Sequence, residues 1–500
     1  MICLCLTGAT LAEWTGQLER NRAWASMVEL RVDLLRPAER SADAIGEWWN
    51  THSDGLPGIL TVRRLRDQGH WEGDDAQRLF LLSRLLDAVA PEYLDIELDR
   101  QSSADWTQLA RRQEDRGGYV IRSYHGSVVD HAEIAALMAR LATNPHEIPK
   151  LAIEPTGLSD TTALLRAARE FRRRMPGRTA VWIAMGEYGL PSRVAPALFG
   201  SAWSYCSDPD GQPAAPGQVS PQLLAETYRV GEATADWQVL AVVGAPVAHS
   251  KSPVYHNPRL RADGVSAVYV PVRADVFGEF VEFADEAGIR GASVTVPHKE
   301  SALALATGEA GAGASELAQR TGAANTLVRR AENAWWADNT DVEGLMAPLR
   351  KQVGAGEGRR AAVIGAGGAA RAAVAGLLAD GWRVQVYNRT PERAAKLAGD
   401  LGLDAAAAHS MSDLRDLESG TVDLLVQTTP VGMAHGVQGD PAEGYEFAGS
   451  ETVYDLVYTP SQTALIVRAA AAGCTTITGE AMFELQAAAQ YELFRAALAD

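Results

Sequence analysis

Eight short apolar runs of β type alternate with helical patterns up to about residue 228, and this alternation limits the fold more than any single motif. The runs are "ICLCL", "MVELRV", "GILTV", "YLDIEL", "YVIRS", "KLAIE", "AVWIA" and "AWSYC". Between them lie stretches such as "DDAQRLFLLSRLLDAV", "HAEIAALMARLA" and "TTALLRAAREFRRR", whose apolar residues recur at three and four. Alternating βα units imply parallel strands, and eight of them in this length fit an α/β fold of the (β/α)8 barrel type. A doubly wound sheet fits the same count, because counting strands does not establish closure.

The polar segment "YRVGEATADWQ", residues 228–238, reads as a boundary. A new strand, "VLAVVGAPV", follows it. Further on, "RRAAVIGAGGAARAAVAGLLADGWRVQVYNRT" runs strand, glycine turn, helix, glycine, strand, the order of a dinucleotide-binding unit. A chain of 500 residues exceeds one ordinary core, so two or three domains are expected. The net charge of −17 argues against a nucleic-acid surface but leaves room for local basic pockets that hold anions. No apolar run approaches the roughly 20 residues that span a bilayer, and "MICLCLTGAT" opens as a strand and turn, without the charged region and cleavage site of a secretory signal. Cys3, Cys5, Cys206 and Cys474 show no metal-site spacing and read as buried apolar residues. The expected compartment is the cytoplasm, and no metal is expected.

In "IPKLAIEP" strand alternation places Leu151 and Ile153 on one face and Lys150, Ala152 and Glu154 on the other. Burying an ammonium is costly unless it is paired or used. The same alternation groups Glu29, Arg31 and Asp33, and it sets Ser123 beside His125 at the end of the fifth run; Arg63 follows the third. Carbonyl chemistry would account for the set. A lysine stripped of water offers a nucleophilic amine, a nearby histidine moves protons, and arginines hold an anionic substrate. The bland alternatives are an exposed edge lysine, a structural histidine and a plain Glu29–Arg31 ion pair.

In the second half, Gly365, Gly367 and Ala370 form a G-x-G-x-x-A turn opening a helix directly after a strand, where backbone amides can approach a pyrophosphate. The following strand ends in Asn388-Arg389-Thr390. An arginine with no acid there suits the 2′-phosphate of NADP; otherwise it is a solvated turn residue. Ahead of this unit stand "GAPVAHSKSPVYHN", "ASVTVPHKE", "GAANTL" and "ADNTDVEGL". Ser250, Ser252, Lys299, Asn325 and Asp341 could cradle a polyhydroxy acid, and a Lys–Asp pair beside a nicotinamide could pass the proton that accompanies hydride. Taken singly, these residues also suit turns and caps.

The motifs "VELRVDLL", "TVRRLRDQG", "RSYHG", "EIPKLAIEP", "AMGEYGLPSRV", "LFGS" and "APGQVS" resemble, in order, those of type I 3-dehydroquinate dehydratase over nearly all of residues 1–228. The resemblance implies that Lys150 forms a Schiff base with the substrate ketone, that His125 carries protons and that Glu29 orients His125. Arg31, Arg63, Arg193 and Gln218 would bind substrate, with Asp67 on a lid loop. Asp67 stands where Glu is usual, and Ala214 where many members have Ser.

Over residues 239–500 the motifs above, with "QTTPVGM", "YDLVYTP" and "GEAMFELQAAAQ", resemble shikimate dehydrogenase. That resemblance implies a catalytic pair of Lys299 and Asp341. Ser250, Ser252, Thr295, Asn325, Tyr458 and Gln486 would bind substrate. Gly365, Gly367, Gly368, Ala370, Asn388, Arg389, Thr390, Thr429 and Gly479 would hold NADP. Gln427 replaces a common Asn, "ATGEAGAGA" reads as an inserted surface loop, and Thr340 matches the shikimate-using members.

The implied domains are a barrel at 1–228, a substrate lobe at 239–345 completed by a helix at 480–500, and a Rossmann-type NADP lobe at 350–479. The implied reactions are dehydration of 3-dehydroquinate and NADPH-dependent reduction of 3-dehydroshikimate to shikimate, with small-molecule partners, no nucleic acid and no membrane. A quinate-preferring dehydrogenase and a non-catalytic ligand sensor are the alternatives, and the sensor could dispense with Lys150, Lys299 and Asp341. The sequence does not set the oligomeric state.

Overall fold

Strands covered on both faces carry apolar residues at most positions, and the first eight strands follow that rule. In the computed structural model, which describes residues 1–100, 103–128, 130–330, 334–434 and 436–499, they are β1 (Ile2–Leu6), β2 (Met27–Arg31), β3 (Gly58–Thr61), β4 (Tyr93–Glu97), β5 (Tyr119–Gly126), β6 (Glu147–Ile153), β7 (Val181–Ala184) and β8 (Ser204–Ser207). They pair in parallel in the order β7-β6-β5-β4-β3-β2-β1-β8. Among the described residues no ladder joins β7 to β8. That seam is stitched instead: the Ser201 hydroxyl accepts from the Trp182 N–H at 2.8 Å and donates to the Trp182 carbonyl at 3.0 Å, while the Ala202 N–H donates to the Ala180 carbonyl. The sheet is a nearly closed barrel, which rules out the doubly wound alternative. One side of its lining is apolar, with Cys3, Met27, Ile59, Ile121, Val181 and Trp203 in one buried cluster.

The chain forms two compact units. The first comprises Met1–Val242 and Pro246–Ile289, and the second Val243–Ala245 and Arg290–Asp500. In the first unit, helix Leu158–Arg174 packs on helix Phe277–Ala287, where Arg166 and Arg169 both reach Glu286.

In the second unit, strands Arg360–Ile364, Arg383–Asn388, Ala408–Ser410, Leu424–Gln427, Thr452–Asp455 and Thr475–Thr478 form one parallel sheet. In sequence order the arrangement is 3-2-1-4-5-6, the Rossmann order, with its switch point beside Arg360–Ile364. Strand Thr326–Arg329 pairs antiparallel with Trp335–Asp338, and helix Asp341–Val353 packs on the long helix Gly479–Ala499. The stretch read as an inserted loop is only partly one. Gly308–Ala312 turns at the surface, but Gly313–Ala314 pairs in parallel with Trp336–Ala337. Among the described residues no helix is long and apolar enough to cross a membrane.

Candidate active sites

Lys150 is 2% exposed on the barrel-facing side of β6, directly opposite Ser123 of β5. Its Nζ donates to Asp95 Oδ2 at 2.9 Å, lies 4.0 Å from Glu29 Oε1 and sits 4.4 Å over the Tyr205 ring. The buried ammonium is therefore paired, as its desolvation requires. Glu29 Oε1 accepts from the Thr61 hydroxyl at 2.9 Å, and Oε2 from Cys5 Sγ at 3.1 Å. Burial works against the Glu29 carboxylate, but Lys150, Arg63 and Arg31 outweigh it and hold its carboxyl below the usual range.

His125 also faces this cavity. Burial pushes its pKa well below the ordinary histidine value, with Arg63 and Lys150 adding to the effect, so the ring is neutral. Its Nδ1 has no hydrogen-bond partner. The expected Glu29–His125 contact is absent among the described hydrogen bonds, because the oxygens of Glu29 are taken by Thr61 and Cys5.

Arg31, Arg63, Arg193, Gln218 and Ala214 also line this cavity. Arg31 is held bidentately by Asp33, at 3.0 and 2.8 Å. Arg193 differs. It is 2% exposed, makes no ion pair among the described residues, donates to the Pro216 carbonyl at 2.8 Å and leaves Nε without a partner. Burial lowers its pKa to about 10. An unpaired buried guanidinium facing a cavity is built to receive an anion. Asp67 does not line the cavity; it accepts from Arg64 Nε at 2.6 Å on the loop after β3.

In the second unit, Lys299 and Asp341 form a short ion pair. The Asn325 amide donates to Asp341 Oδ1 at 2.8 Å, to the Thr340 hydroxyl at 2.9 Å and to Gln486 Oε1 at 3.3 Å. Gln486 can come this close because Gly344 faces it; a Cβ there would lie 2.8 Å from that of Gln486. Thr295 is half-buried and donates its N–H to the Val243 carbonyl. Tyr458 packs against Phe483 in a tilted arrangement, with ring centroids 5.2 Å apart. Ser250 and Ser252 belong to the first unit, where the Ser252 N–H donates to Ser250 Oγ.

The glycine turn fits a dinucleotide. Gly365 has φ +118°, and a Cβ on it would meet Thr428 Oγ1 at 2.3 Å. The space a Cβ on Gly367 would enter is open to 4 Å, and a Cβ on Gly368 would lie 2.8 Å from Lys299 Cδ. The glycines thus bring the catalytic candidate Lys299 against the turn and leave a cradle at Gly367. Helix Gly368–Ala379, which carries Ala370, starts without a side-chain cap, so its first N–H groups stay available for phosphate. The buried Gln427 clamps the neighbouring loop, accepting from Thr429 N–H and donating to the Thr429 and Val431 carbonyls. Arg389 is exposed with no ion pair among the described residues, and Asn388 Nδ2 donates to the Thr390 carbonyl. Gly479 opens the last helix where a Cβ would meet the Leu456 carbonyl at 2.2 Å.

Two buried residues escaped the sequence reading. Asp95 interrupts apolar β4, and that interruption was the available signal. Gln490 donates to the Asn325 carbonyl at 3.0 Å; its signal was its place four residues after Gln486 on one helix face.

The family model described as type I 3-dehydroquinase matches residues 2–234. Those described as shikimate dehydrogenase substrate binding domain and shikimate / quinate 5-dehydrogenase match 242–327 and 349–430. A bifunctional 3-dehydroquinate dehydratase/shikimate dehydrogenase, chloroplastic, of Arabidopsis thaliana is 29% identical over 94% of this chain and 77% of its own length. A shikimate dehydrogenase (NADP(+)) of Salinibacter ruber is 40% identical over 51% of this chain and 90% of its own. A solved dehydroquinate dehydratase and shikimate dehydrogenase of S. pombe covers 100% of this chain and 97% of that one, with 22% identity and a TM-score of 0.41. The chain belongs to the family of bifunctional type I 3-dehydroquinate dehydratase/shikimate dehydrogenases.

Proposed function

We propose that the barrel dehydrates 3-dehydroquinate to 3-dehydroshikimate and that the second half reduces that ketone to shikimate with NADPH. The observation that carries the first assignment is a buried, hydrogen-bonded lysine sharing a cavity with a neutral histidine and an unpaired buried arginine. Arg193 pairs with the substrate carboxylate. The Lys150 amine attacks the ketone carbon, water leaves, and a C=N bond forms. Neutral His125 takes the proton from the adjacent carbon and returns one to the departing hydroxyl. Arg31, Arg63 and Gln218 complete the polar shell, and Asp67 reaches substrate only by leaving Arg64.

In the reduction, Lys299, steadied by Asp341, gives the carbonyl oxygen its proton. Asn325, Gln486, Thr295 and Tyr458 orient the substrate. When bound, NADPH supplies the hydride. Gly365, Gly367, Gly368, Ala370, Thr429 and Gly479 hold its diphosphate and nicotinamide side, with Asn388, Arg389 and Thr390 at the 2′-phosphate. Domain bounds of 1–228, 239–345 with the last helix, and 350–479 follow the two chemistries. The cytoplasm suits four free buried thiols.

Borohydride added with 3-dehydroquinate tests the barrel assignment. A stable adduct on the peptide containing Lys150 is expected; an adduct on another lysine, or none on active protein, refutes it.

A further inference from the structure

Lys150 has two carboxylates beside it, and only one hydrogen-bonds its amine. Glu29 stands 4.0 Å away with its oxygens turned to Thr61 and Cys5. Asp95 Oδ2 accepts from Lys150 Nζ at 2.9 Å and from Arg63 Nη2 at 3.1 Å, and Oδ1 accepts from the Ser123 hydroxyl at 2.5 Å. With three donors on two oxygens in a buried site, this carboxylate has little freedom to turn away. Burial works against its charge, but Lys150 and Arg63 prevail and keep it ionised, hence an acceptor only.

Ammonium plus ketone gives iminium plus water: one C–N double bond replaces the C–O double bond, two of the three N–H protons leave in the water, and the single positive charge stays on nitrogen. The iminium keeps one N–H, whereas the neutral imine has a lone pair in its place. An acceptor-only oxygen fixed against that nitrogen is satisfied by the first and repelled by the second. The distinction governs the next step, because the electrons released when His125 removes the adjacent proton flow into a protonated C=N far more readily than into a neutral one.

Resting on the Schiff-base reading above, we propose that Asp95 is a catalytic residue of the dehydration, holding the Lys150 imine in its protonated form as the electron sink. Its neighbour Ser123 is a positioning residue for that carboxylate.

The test compares two reductants on protein mixed with 3-dehydroquinate, counting adduct on the Lys150 peptide by mass spectrometry. Borohydride reduces imine and iminium alike, whereas cyanoborohydride requires the iminium. In Asp95→Asn the cyanoborohydride-to-borohydride adduct ratio should fall roughly tenfold to a hundredfold, the size expected for losing one charge-assisted hydrogen bond, with kcat falling more than KM rises. The ratio counts only protein that has formed an adduct, so an unfolded fraction does not enter it. Asp95→Glu, which keeps the charge, should retain a ratio close to that of the unaltered protein even if it turns over slowly. An unchanged ratio in Asp95→Asn, or an equal fall in both variants, overturns the role of Asp95 while leaving the lysine assignment standing. Absence of any Lys150 adduct in the unaltered protein overturns both.

Discussion

Glu187, on the loop after β7, accepts a 3.0 Å hydrogen bond from the backbone N–H of Val247, which lies past the barrel sequence. The same oxygen accepts from the Ala248 N–H at 3.1 Å, and the other oxygen takes Arg273 at 2.8 Å. A barrel loop whose next helix carries Arg193 thereby fixes the loop that leads to Ser250 and Ser252. Glu187→Ala should lower stability by about 1–3 kcal/mol, since the backbone donors lose a charged acceptor. Denaturant melts check this; an unchanged midpoint would show that the contact adds nothing to stability.

His125 should keep the dehydration competent well into acid. A base whose folded pKa is depressed stays neutral as pH falls through the ordinary histidine value of about 6.5. The acid limb that His125 imposes on kcat/KM should therefore lie below that value, which a pH–rate profile of the free enzyme reads directly. The linkage has a matching sign. The unfolded chain binds this proton first, so the contribution to stability is complete above pH 6.5 and declines as pH falls below it.

Arg389 should set cofactor preference. A charge-assisted contact with a phosphate is worth about 1.5–3 kcal/mol. Arg389→Ala should raise KM for NADPH roughly tenfold to a hundredfold and change that for NADH little. Equal losses with both cofactors would mark Arg389 as structural.

The strands and the site were legible to different extents. Hydrophobic runs located all eight barrel strands, because buried parallel strands must be apolar along their length. Closure was not legible: the β7–β8 seam depends on Ser201 meeting Trp182, a contact between segments with no shared pattern. Alternation aimed Lys150 and Glu29 inward correctly. The partners chosen inside depend on side-chain reach, so Arg31 went to Asp33, Asp67 to Arg64 and the amine of Lys150 to Asp95. Glu187 gave no signal at all, since its partners are backbone amides 60 and 61 residues away.

The two chemistries should part by single substitutions. Lys299→Ala removes a proposed proton carrier, a role worth about 10²–10⁴ in rate. It should nearly abolish NADPH oxidation while 3-dehydroshikimate accumulates from 3-dehydroquinate. Lys150→Ala should block dehydration yet still reduce supplied 3-dehydroshikimate. If Lys299→Ala, shown to be folded, slowed dehydration as severely as reduction, the sites would be shared.

The most direct measurement adds 3-dehydroquinate and NADPH together to the pure protein and follows nicotinamide absorbance. Both reactions on one chain predict a fall in absorbance after a short lag, with shikimate as product and no second enzyme present. NADPH consumed only when 3-dehydroshikimate is supplied, or not consumed at all, would contradict the account.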